Sequence, residues 1–185
     1  MRDIIAEINE NLDEIERKEG VRILHAVESG SRAWGFASPD SDYDVRFVYA
    51  RPKEDYLRLD ELRDVIEWQL DEVLDINGWD LKKALRQFAK GNATLFEWSE
   101  SPIIYRTTQE WARIKEVSKQ YFSEKGAVYH YYGTANRTLQ DYLLEDTVRY
   151  KKYFYAIRPL LAARYIEEYH TCLLYTSPSP RDRTR

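Results

Sequence analysis

The chain has 185 residues, a formal net charge of −4, one cysteine, five tryptophans and fifteen tyrosines. A hydrophobic fraction of 43% with 14% aromatics can fill a core, which excludes global disorder. No run approaches the roughly 18 apolar residues of a membrane span, and weak acidity disfavours a general nucleic-acid coat while leaving room for a local basic groove. A single cysteine cannot close an internal disulfide, and the opening MRDIIAEINENLDEIERKEG lacks the apolar core of a secretion signal. A reducing, cytoplasmic setting is therefore expected.

Ile4, Ile5, Ile8, Leu12 and Ile15 recur at helical spacing and predict an amphipathic helix over 3–17, ended by Gly20. Residues 21–27 are apolar and β-branched at their ends, as in a buried strand. The turn-rich SGSRAWGFASPDSD follows, and YDVRFVY over 43–49 reads as a second strand. Arg51-Pro52 breaks it, and 54–59 could form a short helix. Residues 65–68 and 72–76 read as two more strands, with a hairpin about Leu70-Asp71. Over 79–90 the pattern is helical, with Leu81, Ala84, Leu85 and Phe88 on one face; Gly91-Asn92 caps it before a short helix over 93–99. Beyond Pro102 the pattern looks all-helical, with helices over 108–122, 126–144 and 147–168 and a kink at Pro159. The layout is a small α/β unit over about 1–105, followed by a helical unit over 106–171.

Residues 172–185, CLLYTSPSPRDRTR, have no apolar period. The stretch resembles the conceptual translation of a transposase sequencing adapter, which would make it foreign to the gene. Without its three arginines and one acid, residues 1–171 carry −6 and contain no cysteine. Thiol nucleophiles and Cys-ligated zinc then drop out.

The chemistry-bearing stretch joins the first two strands. Gly30-Ser31 directly follows the first, and Asp42-Tyr43-Asp44 opens the second. Alternate strand residues point the same way, so Asp42 and Asp44 present two carboxylates together. Such a pair is costly without a cation, and hard oxygen ligands suit Mg²⁺, which completes its shell with waters and substrate phosphates. A Gly-Ser turn lets backbone N–H groups and a hydroxyl approach a phosphate closely. Asp-x-Asp alone is a weak signal; the same pair eleven residues after Gly-Ser, with a strand on each side, is much stronger. Arg46 shares strand parity with Asp42 and Asp44 and is expected to pair with a carboxylate. Trp34 and Phe36 could stack on a base, although aromatics beside a turn more often anchor it. His25, His130 and His170 lack ligand spacing.

This pattern resembles the hG[GS]…D-x-D signature of the DNA polymerase β-type nucleotidyltransferase superfamily. The segments GSRAWGFASPDSDYDVRFVY, DINGWDLKKALRQFAKGNATLFEWSESPIIYR and YKKYFYAIRPLLAARYIE look like a bacterial family within it that is associated with RNA repair. The resemblance spans about residues 1–170; such proteins usually continue with more helical sequence, so a truncated C-terminus is expected. It implies an α+β class: a small nucleotidyltransferase-type mixed sheet with flanking helices, followed by an α-helical unit. It also implies transfer of an NMP from an NTP, ATP favoured, with two Mg²⁺ ions held by Asp42, Asp44 and a third carboxylate. Asp75, in an apolar-Asp-apolar setting, is favoured for that place over Asp80, which reads equally as a helix N-terminal acid. Gly30, Ser31 and Arg32 would attend the triphosphate.

The acid-free stretch 149–166 carries Arg149, Lys151, Lys152, Arg158 and Arg164. Lys152 and Arg158 are the phosphate candidates, against the plainer reading of a solvated helix face. Three functions compete: a nucleotidyltransferase acting on RNA 3′ ends, a transferase adenylylating protein or a small molecule (toxin–antitoxin or antibiotic-modifying type), and a non-catalytic nucleotide-binding module. An intact set of carboxylates and Gly-Ser turn ranks the last lowest.

Overall fold

Asp3 opens the first helix by accepting a hydrogen bond from the Ala6 N–H at 3.1 Å. The computed structural model describes residues 3–35, 37–38, 41–69, 73–145 and 147–172. Phe36, the expected Leu70-Asp71 hairpin and the tail from 173 lie outside them. Helix α1 (Ile4–Glu19) closes at Gly20, in the left-handed region at φ 61°. Its fully buried stripe Ile8, Leu12 and Ile15 packs with apolar residues of the sheet.

The sheet has five strands: β1 (Arg22–Glu28), β2 (Tyr43–Ala50), β3 (Val65–Gln69), β4 (Leu74–Asp80) and β5 (Ile104–Thr107). Their order is β3-β4-β2-β1-β5. The β2–β4 pair is parallel and the other three are antiparallel, so the sheet is mixed. The class is α+β, as expected.

The chain folds as two compact units. The first, Met1–Gln87 with Ser101–Lys119, holds the whole sheet. On one face Val45, Phe47 and Tyr49 of β2 join Leu74 and Ile76 of β4 against α1. A bulge between Ile23 and His25 brings Ile23 and Ala26 onto the same face despite their spacing of three. Arg106 of β5 ties the edge to α1 through Asp13 at 2.6 Å and Glu16 at 2.9 Å. Helix α6 (Gln109–Ser118) presents Trp111, whose ring stacks on His25 at 4.7 Å. The second unit, Phe88–Glu100 with the chain from Gln120, contains α5 (Ala93–Ser99), α7 (Glu124–Thr138) and α8 (Tyr150–Tyr169). Within it the Tyr131 hydroxyl donates to Glu97 at 2.6 Å.

Two expectations are corrected. Strand β4 runs on to Asp80, so the helix expected from 79 begins only at Leu81, as α4 (Leu81–Ala89). The stretch after Pro102, expected to be all-helical, supplies β5. The first correction follows from the parallel pairing with β2, which continues through Trp79 opposite Val48 and Asp80 opposite Tyr49. Within that pairing Gly78 is the register partner of Phe47, and a Cβ there would lie 2.2 Å from the Phe47 ring. The glycine is the space the ring occupies. Gly78→Ala should cost about 1–3 kcal/mol by overpacking, read as a lower urea midpoint at unchanged m-value.

Candidate metal and nucleotide site

The sheet face opposite α1 carries the chemistry at the start of β2 and β4. Asp44 and Asp75 are register partners on these parallel strands, so their side chains lie side by side. Arg46 sits between them. Its Nη2 donates to Asp75 Oδ2 at 2.7 Å and to Asp44 Oδ1 at 3.3 Å. Its Nη1 donates to the carbonyls of Val45 at 3.0 Å and Asp75 at 3.2 Å.

The end of β1 locks the Asp44 backbone in place. The Ser29 N–H donates to the Asp44 carbonyl at 2.8 Å, and the Asp44 N–H donates to Glu28 Oε1, also at 2.8 Å. Glu28 is fully buried. Its other oxygen accepts the Tyr105 hydroxyl at 2.5 Å, and Ser101 Oγ donates to its carbonyl at 2.6 Å. Burial pushes the Glu28 carboxyl above its usual range, against the opposing pull of the hydrogen bonds from Tyr105 and from the Asp44 N–H.

The turn that follows is a single helical turn, α2 (Gly30–Ala33). Gly30 has φ 59°, and a Cβ there would fall 2.2 Å from Asp44 Oδ2. Glycine is thus required both by the backbone and by the carboxylate lying against it. Ser31 is buried. Arg32 reaches across the loop: Nε donates to the Asp42 carbonyl at 3.1 Å and Nη2 to the Ser41 carbonyl at 2.5 Å. Its guanidinium lies 3.7 Å from the Tyr43 ring centroid. In this arrangement Arg32 organises the approach to β2, and the Asp42 side chain is exposed.

Gly30, Ser31, Arg32, Asp44 and Asp75 are therefore gathered about the starts of β2 and β4. Asp80 is not. It is the register partner of Tyr49, toward the far end of β2 and β4, where its carboxylate accepts the Lys82 N–H at 2.7 Å and the Tyr56 hydroxyl at 2.9 Å. Lys152 and Arg158 belong to the second unit, on α8. Lys152 Nζ lies 3.4 Å from the Tyr142 ring centroid, and the charge of Arg158 bears on Glu97, His130 and Tyr131.

Among the described residues no three carboxylate, imidazole or thiolate groups converge as a ready-made metal cage. Two paired carboxylates nevertheless suit Mg²⁺, which commonly takes one or two and draws its remaining ligands from water and substrate phosphates. The guanidinium between Asp44 and Asp75 already marks a cation position.

Two residues of the site escaped the sequence reading. Glu28 gave one signal, an acid ending an otherwise apolar strand directly before Gly-Ser. Tyr105 gave none, because its strand was not foreseen. A cleft of about 540 Å³ opens near Asp80, lined by Arg51, Arg58, Lys82 and Arg86 among others. Its acids pair with several of these cations, Arg58 with Asp60 at 2.7 Å and Lys83 with Asp64 at 3.0 Å, so little net charge faces a ligand.

The chain is 48% identical over 167 residues to the uncharacterized protein YcgL of Bacillus subtilis (strain 168). That match covers 89% of this chain and 64% of YcgL, so the chain spans less than two thirds of that relative's length. Among solved structures it is similar to a nucleotidyltransferase-like protein from Exiguobacterium sibiricum 255-15, at TM-score 0.39 and 12% identity, covering 87% of this chain and 58% of that one. No helix among the described residues is long and apolar enough to cross a membrane. A family model described as RlaP, the RNA repair pathway DNA polymerase beta family, matches residues 4–176, and with nearly all of its length under that model the chain belongs to this family.

Proposed function

We propose that the chain is a Mg²⁺-dependent nucleotidyltransferase that moves an NMP from an NTP, ATP favoured, onto an acceptor hydroxyl, with an RNA 3′ end as the preferred acceptor. The observation carrying this reading is the Asp44–Asp75 register pair, with the Gly30 backbone pressed against the Asp44 carboxylate. Family membership supports it. In the reaction the acceptor oxygen bonds to the α-phosphorus, the α–β bridging bond breaks, and pyrophosphate leaves.

Asp44 and Asp75 would hold the cation, with Asp42 joining from the exposed end of the loop. Bound Mg²⁺ would supply positive charge to the triphosphate and to the departing pyrophosphate. Asp75, the more exposed of the register pair, is assigned to the acceptor side, where it would help take the hydroxyl proton. The Gly30-Ser31 turn would offer backbone N–H groups and a hydroxyl to the phosphates.

Incubation with α-labelled ATP, Mg²⁺ and total RNA or total protein tests the reading. Label should appear in a product destroyed by RNase and resistant to protease. Protease-sensitive label would instead identify a protein-modifying transferase. Nucleotide binding with no label transfer to RNA, protein or small molecules would leave only a binding module.

A further inference from the structure

We propose that Arg46 is the resident counter-ion of the Asp44–Asp75 pair, holding the two carboxylates together until a divalent cation displaces it from Asp44. The inference rests on the metal-site reading above and deepens it. Two carboxylates in register on adjacent strands repel each other, and Arg46 offsets that repulsion from a half-buried position between them.

Its contacts are unequal in a way that suits displacement. Three anchor the guanidinium to β2 and β4: the carbonyls of Val45 and Asp75, and Asp75 Oδ2 at 2.7 Å. The fourth, to Asp44 Oδ1, is the longest at 3.3 Å. Losing that one contact leaves the guanidinium held by the other three.

Charge then orders the events. With Asp42 joining Asp44 and Asp75, three carboxylates and one guanidinium carry a net −2, a weaker attraction for a divalent cation than the −3 of the carboxylates alone. With that cation bound the cluster is neutral, whereas without the guanidinium it would be −1 and repel a triphosphate. Arg46 thereby weakens metal binding to the nucleotide-free protein and strengthens nucleotide binding to the metal-loaded one. An arginine with a purely structural role would do neither.

Mn²⁺ binding to the nucleotide-free full chain, followed by the electron paramagnetic resonance of free Mn²⁺, tests this. Arg46→Gln should bind Mn²⁺ at least about tenfold more tightly than wild type, as expected for removing one positive charge at contact distance. A non-hydrolysable ATP analogue should then bind more weakly to the Mn²⁺-loaded variant. Equal or weaker Mn²⁺ binding by Arg46→Gln, with binding still abolished in Asp44→Asn, would overturn the Arg46 proposal and leave the site reading intact. Mn²⁺ binding that is indifferent to Asp44→Asn would overturn both. The wild type gives an independent check that does not depend on a folded glutamine variant. One arginine side-chain ¹⁵N resonance, absent in Arg46→Lys, should shift as Mg²⁺ is added, and an unshifted resonance at saturating metal rejects the displacement.

Discussion

Asp44→Asn should lower the rate of label transfer by roughly a thousandfold or more, while the protein remains folded. The amide keeps the shape of the carboxylate and removes its charge, so the contribution lost lies mainly in the transition state and appears in kcat before KM. Stability should change little. Arg46 keeps its shorter ion pair to Asp75 and its two carbonyl contacts, and partly exposed ion pairs contribute about 0–1 kcal/mol. Asp75→Asn should also be strongly impaired. Asp80→Asn provides the contrast. Its two oxygens accept the Lys82 N–H at the start of α4 and the Tyr56 hydroxyl, and an amide has one acceptor oxygen for these two donors, so this variant should lose about 1 kcal/mol of stability and keep its activity per folded molecule. Melting temperatures and single-turnover rates of the three variants distinguish these outcomes. Equal activity in Asp44→Asn and wild type would remove the metal site from this end of the sheet.

The contrast between Asp75 and Asp80 also shows what local pattern can and cannot tell. Both acids sit in strand β4, five residues apart, and each has apolar neighbours. Sequence favoured Asp75 on its apolar-Asp-apolar setting, but only the parallel register puts it beside Asp44. Register is a relation between strands distant in sequence, with no local signal of its own. Asp42 and Asp44 were legible because their relation is local: a period of two at a strand start. Their surroundings differ all the same. Asp44 is bound into the sheet, whereas Asp42 precedes β2 and is exposed.

The fold was legible in the same proportion. Helix α1 and strands β1 and β2 announce themselves by period and composition. Strand β5 does not, since its four residues give too short a window to distinguish a strand from the start of a helix. Its neighbours on β1 decide the matter: the Glu28 N–H donates to the Ile103 carbonyl at 2.9 Å, and the Thr108 N–H to the Leu24 carbonyl at 3.0 Å. Missing β5 meant missing Tyr105, and with it the reason a buried Glu28 is tolerable. A carboxylate with no access to water needs its oxygens satisfied; Tyr105 and the Asp44 backbone satisfy them from two different strands. Arg46 falls between these cases. Strand parity showed which face it shares, but not that one guanidinium would span two strands.

Gly30→Ala should impair both stability and transfer, and Gly35→Ala separates the two causes. Both glycines have positive φ, 59° and 76°, so alanine at either position should carry a backbone penalty of roughly 1–2 kcal/mol. Only at Gly30 does the added methyl meet the site. It would fall 2.2 Å from Asp44 Oδ2 and 3.1 Å from Asp44 Cγ, whereas among the described residues nothing lies within 4 Å of a Cβ at Gly35. The backbone of Asp44 cannot yield easily, because Ser29 and Glu28 hold its carbonyl and its N–H. The side chain must rotate instead, which breaks its contact with Arg46 and moves a carboxylate oxygen by about an ångström or more. Displacement on that scale costs about a hundredfold in rate where catalysis depends on placement. Gly35→Ala should therefore lower the melting temperature and leave transfer by the folded protein close to wild type. Gly30→Ala should show a similar or larger thermal loss, about a hundredfold lower transfer, and weaker Mn²⁺ binding. If the two variants lose activity equally, the Gly-Ser turn serves the backbone alone, and the close approach of Gly30 to Asp44 has no part in the chemistry.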